Sequence, residues 1–143
     1  MPDWVERAAG DYARRLPAHW KFALREHPQA RGDDGPTRRL REGRALVDAL
    51  DARAHVVALD ERGTLHDTAG VAARLAAWQG LGKPVELVVG GPDGLDGAVR
   101  ERADETWSLS PLTFPHPLVR VLVLEQLYRA ESLAAGHPYH RGG

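Results

Sequence analysis

Apolar residues recur along this chain with two different periods, and each period predicts a kind of element. Trp4, Ala8, Tyr12 and Leu16 stand at helical spacing, behind a proline at position 2 that a first helical turn tolerates, and Pro17 ends that helix. Trp20, Phe22 and Leu24 alternate with polar residues and predict a strand. Gln29 to Pro36 is polar, with Gly32 and Gly35, and predicts an exposed loop. Arg39 to Ala54 predicts a second helix with Leu40, Val47 and Leu50 on one stripe. His55 to Leu59 predicts a short buried strand closed by a turn at Asp60-Glu61-Arg62-Gly63. Thr68 to Gly80 predicts a third helix with Val71, Leu75 and Trp78 facing inward, and Val85 to Val89 a second buried strand. A polar helix follows over Leu95 to Asp104, then a strand at Trp107 to Leu109. Pro117 to Ala135 predicts a long apolar helix, with Gly136 placed to cap its C-terminus.

Apolar strands without alternation, separated by helices, indicate a mostly parallel sheet flanked by helices on both faces, an α/β fold. The length suits one domain over residues 1–143, and neither a repeat nor a linker interrupts it.

Composition narrows the class. The chain has no cysteine, which excludes disulfides and cysteine-ligated zinc, and no apolar run approaches the length of a membrane span. Met1-Pro2-Asp3-Trp4 has neither the basic region nor the apolar stretch of a secretory signal, so a cytoplasmic location is expected. A net charge of −1 gives no global sign of nucleic acid. The charge is unevenly spread, however: nine Lys and Arg lie between Arg14 and Arg44 against four acids, Glu26, Asp33, Asp34 and Glu42. That local excess suits either a face for phosphates or a solvated arginine-rich surface.

Four segments carry candidate chemistry. Gly90-Gly91-Pro92-Asp93-Gly94 follows a buried strand, where open α/β sheets bind ligands and where missing Cβ atoms let a ligand approach the backbone. It lacks both the dinucleotide fingerprint and the lysine of a phosphate loop, and a plain strand-to-helix turn explains it equally well. Trp107 to Pro117 (WSLSPLTFPHP) contains three prolines that fix φ. Stiff backbone of this kind, with the hydroxyls of Ser110 and Thr113, suits a flat heterocycle; a loop crossing the sheet for packing alone is the alternative. The helix from Pro117 is apolar nearly all round, with Val121, Leu124 and Tyr128 on one side and Leu118, Leu122 and Glu125 on another. Two covered faces favour a homodimer over a central monomer helix. The tail His137-Pro-Tyr-His-Arg141 suits metal ligation, contact with a base, or a frayed end. No carboxylate lies near its histidines in sequence, so no metal is expected, whereas tyrosine and arginine fit stacking on an RNA base and pairing with phosphate.

Taken together these segments resemble a known family. VVGGPDG (Val88 to Gly94), WSLSPLTFPH (Trp107 to His116), LVRVLVLEQLY (Leu118 to Tyr128) and HPYHR (His137 to Arg141) follow the motifs of the RlmH family in order and spacing. A weaker match runs through Asp3-Trp4 and Val57 to Asp60, so the likeness spans essentially the whole chain. The resemblance implies a SPOUT-type fold with a C-terminal trefoil knot, homodimerisation, and S-adenosyl-L-methionine (SAM) as methyl donor. It implies methylation of N3 of a pseudouridine in helix 69 of 23S rRNA, on the assembled ribosome. Carried over motif by motif, Leu59, Gly91 and the run Ser110, Pro111, Leu112, Thr113, Phe114 and Pro115 would bind SAM. Tyr139, His140 and Arg141 would reach the base from the partner subunit, with His116 close by. His140 is the candidate general base, and Arg141 would stabilise the developing anion.

Three departures stand out. Family members open with a strand before the Pro-Asp-Trp segment, so the first family strand is expected to be missing here. Phe114 replaces a usual leucine, and Gly136 an asparagine. The competing readings are a non-catalytic RNA- or ribosome-binding member of the fold and a SPOUT methyltransferase for another RNA. A small-molecule hydrolase is more distant, because no Ser-His-Asp or metal constellation is visible.

Overall fold

The computed structural model describes residues 3–17, 22–26, 36–89, 95–136 and 139. Its elements are α1 (Asp3–Arg15), β1 (Phe22–Glu26), α2 (Pro36–Ala49), β2 (His55–Leu65), α3 (Thr68–Leu81), β3 (Val85–Val89), α4 (Gly97–Arg102), β4 (Glu105–Ser108) and α5 (His116–Ala135). The strands form one sheet in the order β1-β3-β2-β4, and every pairing is parallel. The expected α/β architecture is therefore present. The residues at 90–94 and 137–138 lie outside the described residues.

The period-two geometry of a strand divides the core in two. Val57 and Leu59 of β2, with Val85, Leu87 and Val89 of β3, face a layer built from α1, α3 and α5. Val56 and Ala58, with Val88, face α2 and α4 through Leu46, Leu50, Leu95 and Val99. Both faces being covered is why VELVV carries no polar alternation. Its one charged residue, Glu86, is 4% exposed and is neutralised by the Arg25 guanidinium of β1 and by the backbone N–H of Asp51, 2.7 Å away.

Several boundaries differ from the periodicity, each for a visible reason. In α1 Val5 and Ala9 take the inner places expected for Trp4 and Ala8, and Trp4 is 52% exposed, while Tyr12 packs on the core and Leu16, just past the helix, is buried as expected. α2 ends at Ala49 rather than Ala54. The chain turns there because Glu86 takes the Asp51 N–H and the Arg102 guanidinium takes the carbonyl of Ala54 at 2.9 Å. Leu46 of α2 and Leu50 just past its end are buried, with Val47 packed against them, and Leu40 faces out. β2 does not stop at Leu59: its register with β4 breaks between Leu59 and Thr64 and resumes to Leu65. The residues read as a turn, Asp60 to Gly63, are thus extruded from the ladder, and the strand continues beyond them. α4 is shorter than predicted because Asp96 caps it, accepting the Ala98 N–H at 2.9 Å. β4 begins two residues early, at Glu105, and ends at Ser108. β3, α3 and α5 fall within a residue of their predicted bounds.

Candidate active site

Parallel pairing brings three strand ends to one level. Leu59 is in register with Val89 on one side and Trp107 on the other. This carboxyl edge is where open α/β sheets bind ligands. Leu59 is itself buried in the core. Gly91 lies outside the described residues.

From β4 the chain enters the proline-rich segment and reaches α5 at Pro115. Its first half is tied to itself: the Ser108 hydroxyl donates to the Ser110 carbonyl at 3.1 Å, and the Leu112 N–H donates to the Ser110 hydroxyl oxygen at 2.9 Å. Its second half is tied to the helix, since the Pro115 carbonyl accepts the N–H groups of Leu118 and Val119 at 3.0 and 3.1 Å. Between these ties Pro111, Leu112, Thr113 and Pro115 are exposed, Ser110 and Phe114 half-buried. Leu112 stands out at 71% exposure. The loop is thus held in shape while presenting accessible groups, and it leaves the sheet just after Trp107, the β4 residue in register with Leu59.

The extruded bulge of β2 borders the same edge. Asp60 accepts the Arg62 N–H at 3.0 Å, an Asx-type turn, and the Arg100 guanidinium at 3.1 Å. A Cβ on Gly63 would lie 2.5 Å from the carbonyl carbon of Trp107, so only glycine permits this approach of β2 to β4.

Behind Trp107 lies a cluster that sequence reasoning missed. The Glu105 carboxylate receives Arg74 through Nε at 2.9 Å and Nη2 at 2.8 Å, and the indole N–H groups of Trp78 at 2.8 Å and Trp107 at 3.0 Å. His55 Nε2 lies 2.6 Å from it as well. Burial alone would raise the pKa of Glu105, but the donors from Arg74, Trp78, His55 and Trp107 outweigh it and hold the carboxyl down at about 2. The same contact raises the pKa of Arg74. The Trp78 and Trp107 rings stack with centroids 5.3 Å apart, and His66 lies 5.0 Å from Trp107 on another side. Five residues meet here from three segments distant in sequence: His55 of β2, Arg74 and Trp78 of α3, and Glu105 and Trp107 of β4.

Of the tail, Tyr139 is described; His137, His140 and Arg141 lie outside the described residues, as does the side chain of His116. Tyr139 packs on α1 and α5 of its own chain. Its ring meets Tyr128 edge-on at 4.6 Å, and its hydroxyl lies 3.1 Å from that of Tyr12 and 3.3 Å from Glu125 Oε1. Among the described residues no group of three or more His, Cys, Asp or Glu is placed to hold a metal ion.

A family model described as "Predicted SPOUT methyltransferase" matches residues 1–140. Curated proteins from Thioalkalivibrio sulfidiphilus and Verminephrobacter eiseniae, both named ribosomal RNA large subunit methyltransferase H, are 51% identical over 144 residues, covering 99% of this chain and 92% of theirs. The chain belongs to the RlmH family of SPOUT methyltransferases. Another RlmH relative, from Hahella chejuensis, is 45% identical over 144 residues. Among solved structures, that of the SpoU methyltransferase AviRb from Streptomyces viridochromogenes in complex with AdoMet gives a TM-score of 0.47 at 15% identity, covering 82% of this chain and 61% of that one. No described helix of this RlmH chain is long and apolar enough to cross a membrane.

Proposed function

We propose that this chain is a SAM-dependent methyltransferase of large-subunit ribosomal RNA, acting on N3 of a pseudouridine in helix 69 of 23S rRNA in the assembled ribosome. The observation that carries the large-subunit RNA reading is the 51% identity, along nearly the full chain, to proteins named ribosomal RNA large subunit methyltransferase H. The geometry supports it. Leu59 and the loop from Ser110 to Pro115, with Gly91, would hold the donor by shape and backbone contact, which is what the doubly tied loop offers. SAM supplies, when bound, a methyl group already activated by its sulfonium, so placing the acceptor supplies much of the rate. N3–H of the base must lose its proton; His140 would accept it, and Arg141 would stabilise the anion that forms. No metal takes part.

The working unit is a homodimer in the cytoplasm. Leu118, Val119, Val121 and Leu122 of α5 are only part-buried within one chain, and a second copy would cover them. In a two-fold pair the tail of one copy would serve the donor site of the other.

The test is mass spectrometry of large-subunit RNA from a strain lacking the gene. The helix 69 pseudouridine is expected to lack one methyl group and to regain it when the gene is restored. An unchanged pseudouridine, with a methyl missing elsewhere, would assign the enzyme to another RNA. SAM titrated into the purified protein by calorimetry is expected to bind; absence of binding would leave a non-catalytic member of the fold.

A further inference from the structure

Tyr139 is the point at which the tail meets the body of its own chain, and what it meets is a built cluster. Glu125 of α5, with its side chain 14% exposed, accepts the Arg129 guanidinium through Nε at 2.9 Å and Nη2 at 2.6 Å, and the Gln126 amide at 2.7 Å. Arg129 also stands 5.3 Å from the centre of the Tyr139 ring. Arg15 of α1 covers Tyr12 and Tyr128 at 5.4 and 5.6 Å. The Tyr139 phenol thus has a ring on its edge, a cation on its face and two oxygens at its tip. A hydroxyl has one proton to give. Both contacts are satisfied when Tyr12 donates to Tyr139 and Tyr139 donates to the Glu125 carboxylate.

The chain path agrees. Glu125 lies ten residues before the end of α5, about 15 Å along its axis. Tyr139 reaches it only because the chain reverses after the helix, and the cap residue Gly136 has φ 75°, which a side chain would oppose. Tyr139 therefore lies back along the helix that precedes it.

We propose that Glu125, together with Tyr12 and Arg129, is the positioning site of the tail, and that Tyr139 is its anchor rather than a group that touches the base. This rests on the reading above that His140 and Arg141 act on the nucleobase. Those two residues follow the anchor directly, so they stand within about 7 Å of its Cα along the chain. Fixing Tyr139 restricts where they leave the body, and placement of an acting group is worth large factors in rate. Burial first, then the contacts with Tyr12 and Glu125, push the Tyr139 phenol up, which keeps it protonated and makes it a donor to the carboxylate rather than a base.

The experiment compares Tyr12→Phe, Tyr139→Phe and the double variant of the full chain on ribosomes from the methylation-deficient strain. Each single change is expected to lower kcat about three- to tenfold, with SAM affinity unchanged. The double variant is expected to be no slower than the slower single, because both remove the same hydroxyl contact. Wild-type kcat for Tyr12→Phe, or losses that multiply in the double variant, would overturn the anchor and return Tyr139 to the base. Carboxypeptidase digestion of the unliganded protein reads the same contact without catalysis. Glu125→Gln is expected to lose its last residues several-fold faster than the wild type, and equal rates would overturn the proposal. His140→Ala and Arg141→Ala separate the two readings. If both methylate normally, the role of the tail in chemistry fails, while the digestion result still decides the anchor.

Discussion

Glu105 and Glu125 are shielded to nearly the same degree, with side chains 16% and 14% exposed, yet their partners differ in kind. Glu105 is satisfied entirely from the body of the fold: an arginine of α3, two indoles and a histidine, drawn from elements that meet only when the sheet closes. Glu125 takes most of its contacts from its own helix, from Gln126 next to it and Arg129 one turn on, and then receives a residue of the tail. The first can be satisfied only by folding. The second is largely assembled as soon as α5 forms and has capacity left for a segment that docks afterwards. A carboxylate of the first kind holds architecture, and one of the second kind holds a position.

The comparison is broken most directly at Glu105. Glu105→Ala leaves the indole N–H groups of Trp78 and Trp107 and the guanidinium of Arg74 without their shared acceptor, so a loss of about 3–5 kcal/mol is expected. Chemical denaturation followed by tryptophan fluorescence measures it. Glu105→Gln, which keeps one acceptor oxygen and the shape, is expected to lose about half as much. A loss under about 1 kcal/mol for the alanine variant would mean that the cluster is ornamental and that the two carboxylates do not differ as described.

Acid sharpens the same contrast. The Glu105 carboxyl is held at about 2 against an ordinary 4.5, so its contribution is fully present above the unfolded value and is lost as pH falls through the folded one. Between about pH 4.5 and 2 the wild type is expected to lose on the order of 2 kcal/mol on this account, discounted for water at the rim of the cluster. Glu105→Gln is expected to lack that component. Stability measured across the window in both proteins checks it, and parallel curves would remove Glu105 from the acid response.

How far the chain could be read before its structure follows from where the information sits. β3 was legible to the residue because VELVV is buried on both faces and bounded by proline and glycine. The stiffness of the loop after β4 was legible because three prolines and two serines act within a few residues of one another, and the Ser108–Ser110 contact is local. The Glu105 cluster was hidden, because His55, the Arg74–Trp78 pair of α3 and Glu105 are spread over fifty positions and nothing in the sequence links the three segments. α2 was read too long because its end is set by Glu86 and Arg102, both far downstream. The first turns of α1 were read one step out because Trp4 looks like a core residue yet faces out, while Val5 takes the inner place. Tyr139 was singled out from the tail motif, but its contact with Tyr12 of α1 could not be, since that residue lies at the other end of the chain.

The smallest effect expected is the most diagnostic. Glu125→Ala removes an i,i+4 pair whose arginine is already 23% exposed and can return to water, so the cost to global stability should be about 1 kcal/mol or less. Its cost to methylation should nonetheless exceed that of Tyr12→Phe, since it releases both Arg129 and Tyr139 from their places. Denaturation midpoint and kcat, measured on the same preparation, put the two costs side by side. A variant that loses several kcal/mol of stability would make Glu125 a second Glu105, a residue of architecture. One that keeps both stability and kcat would show that the tail finds its position without it.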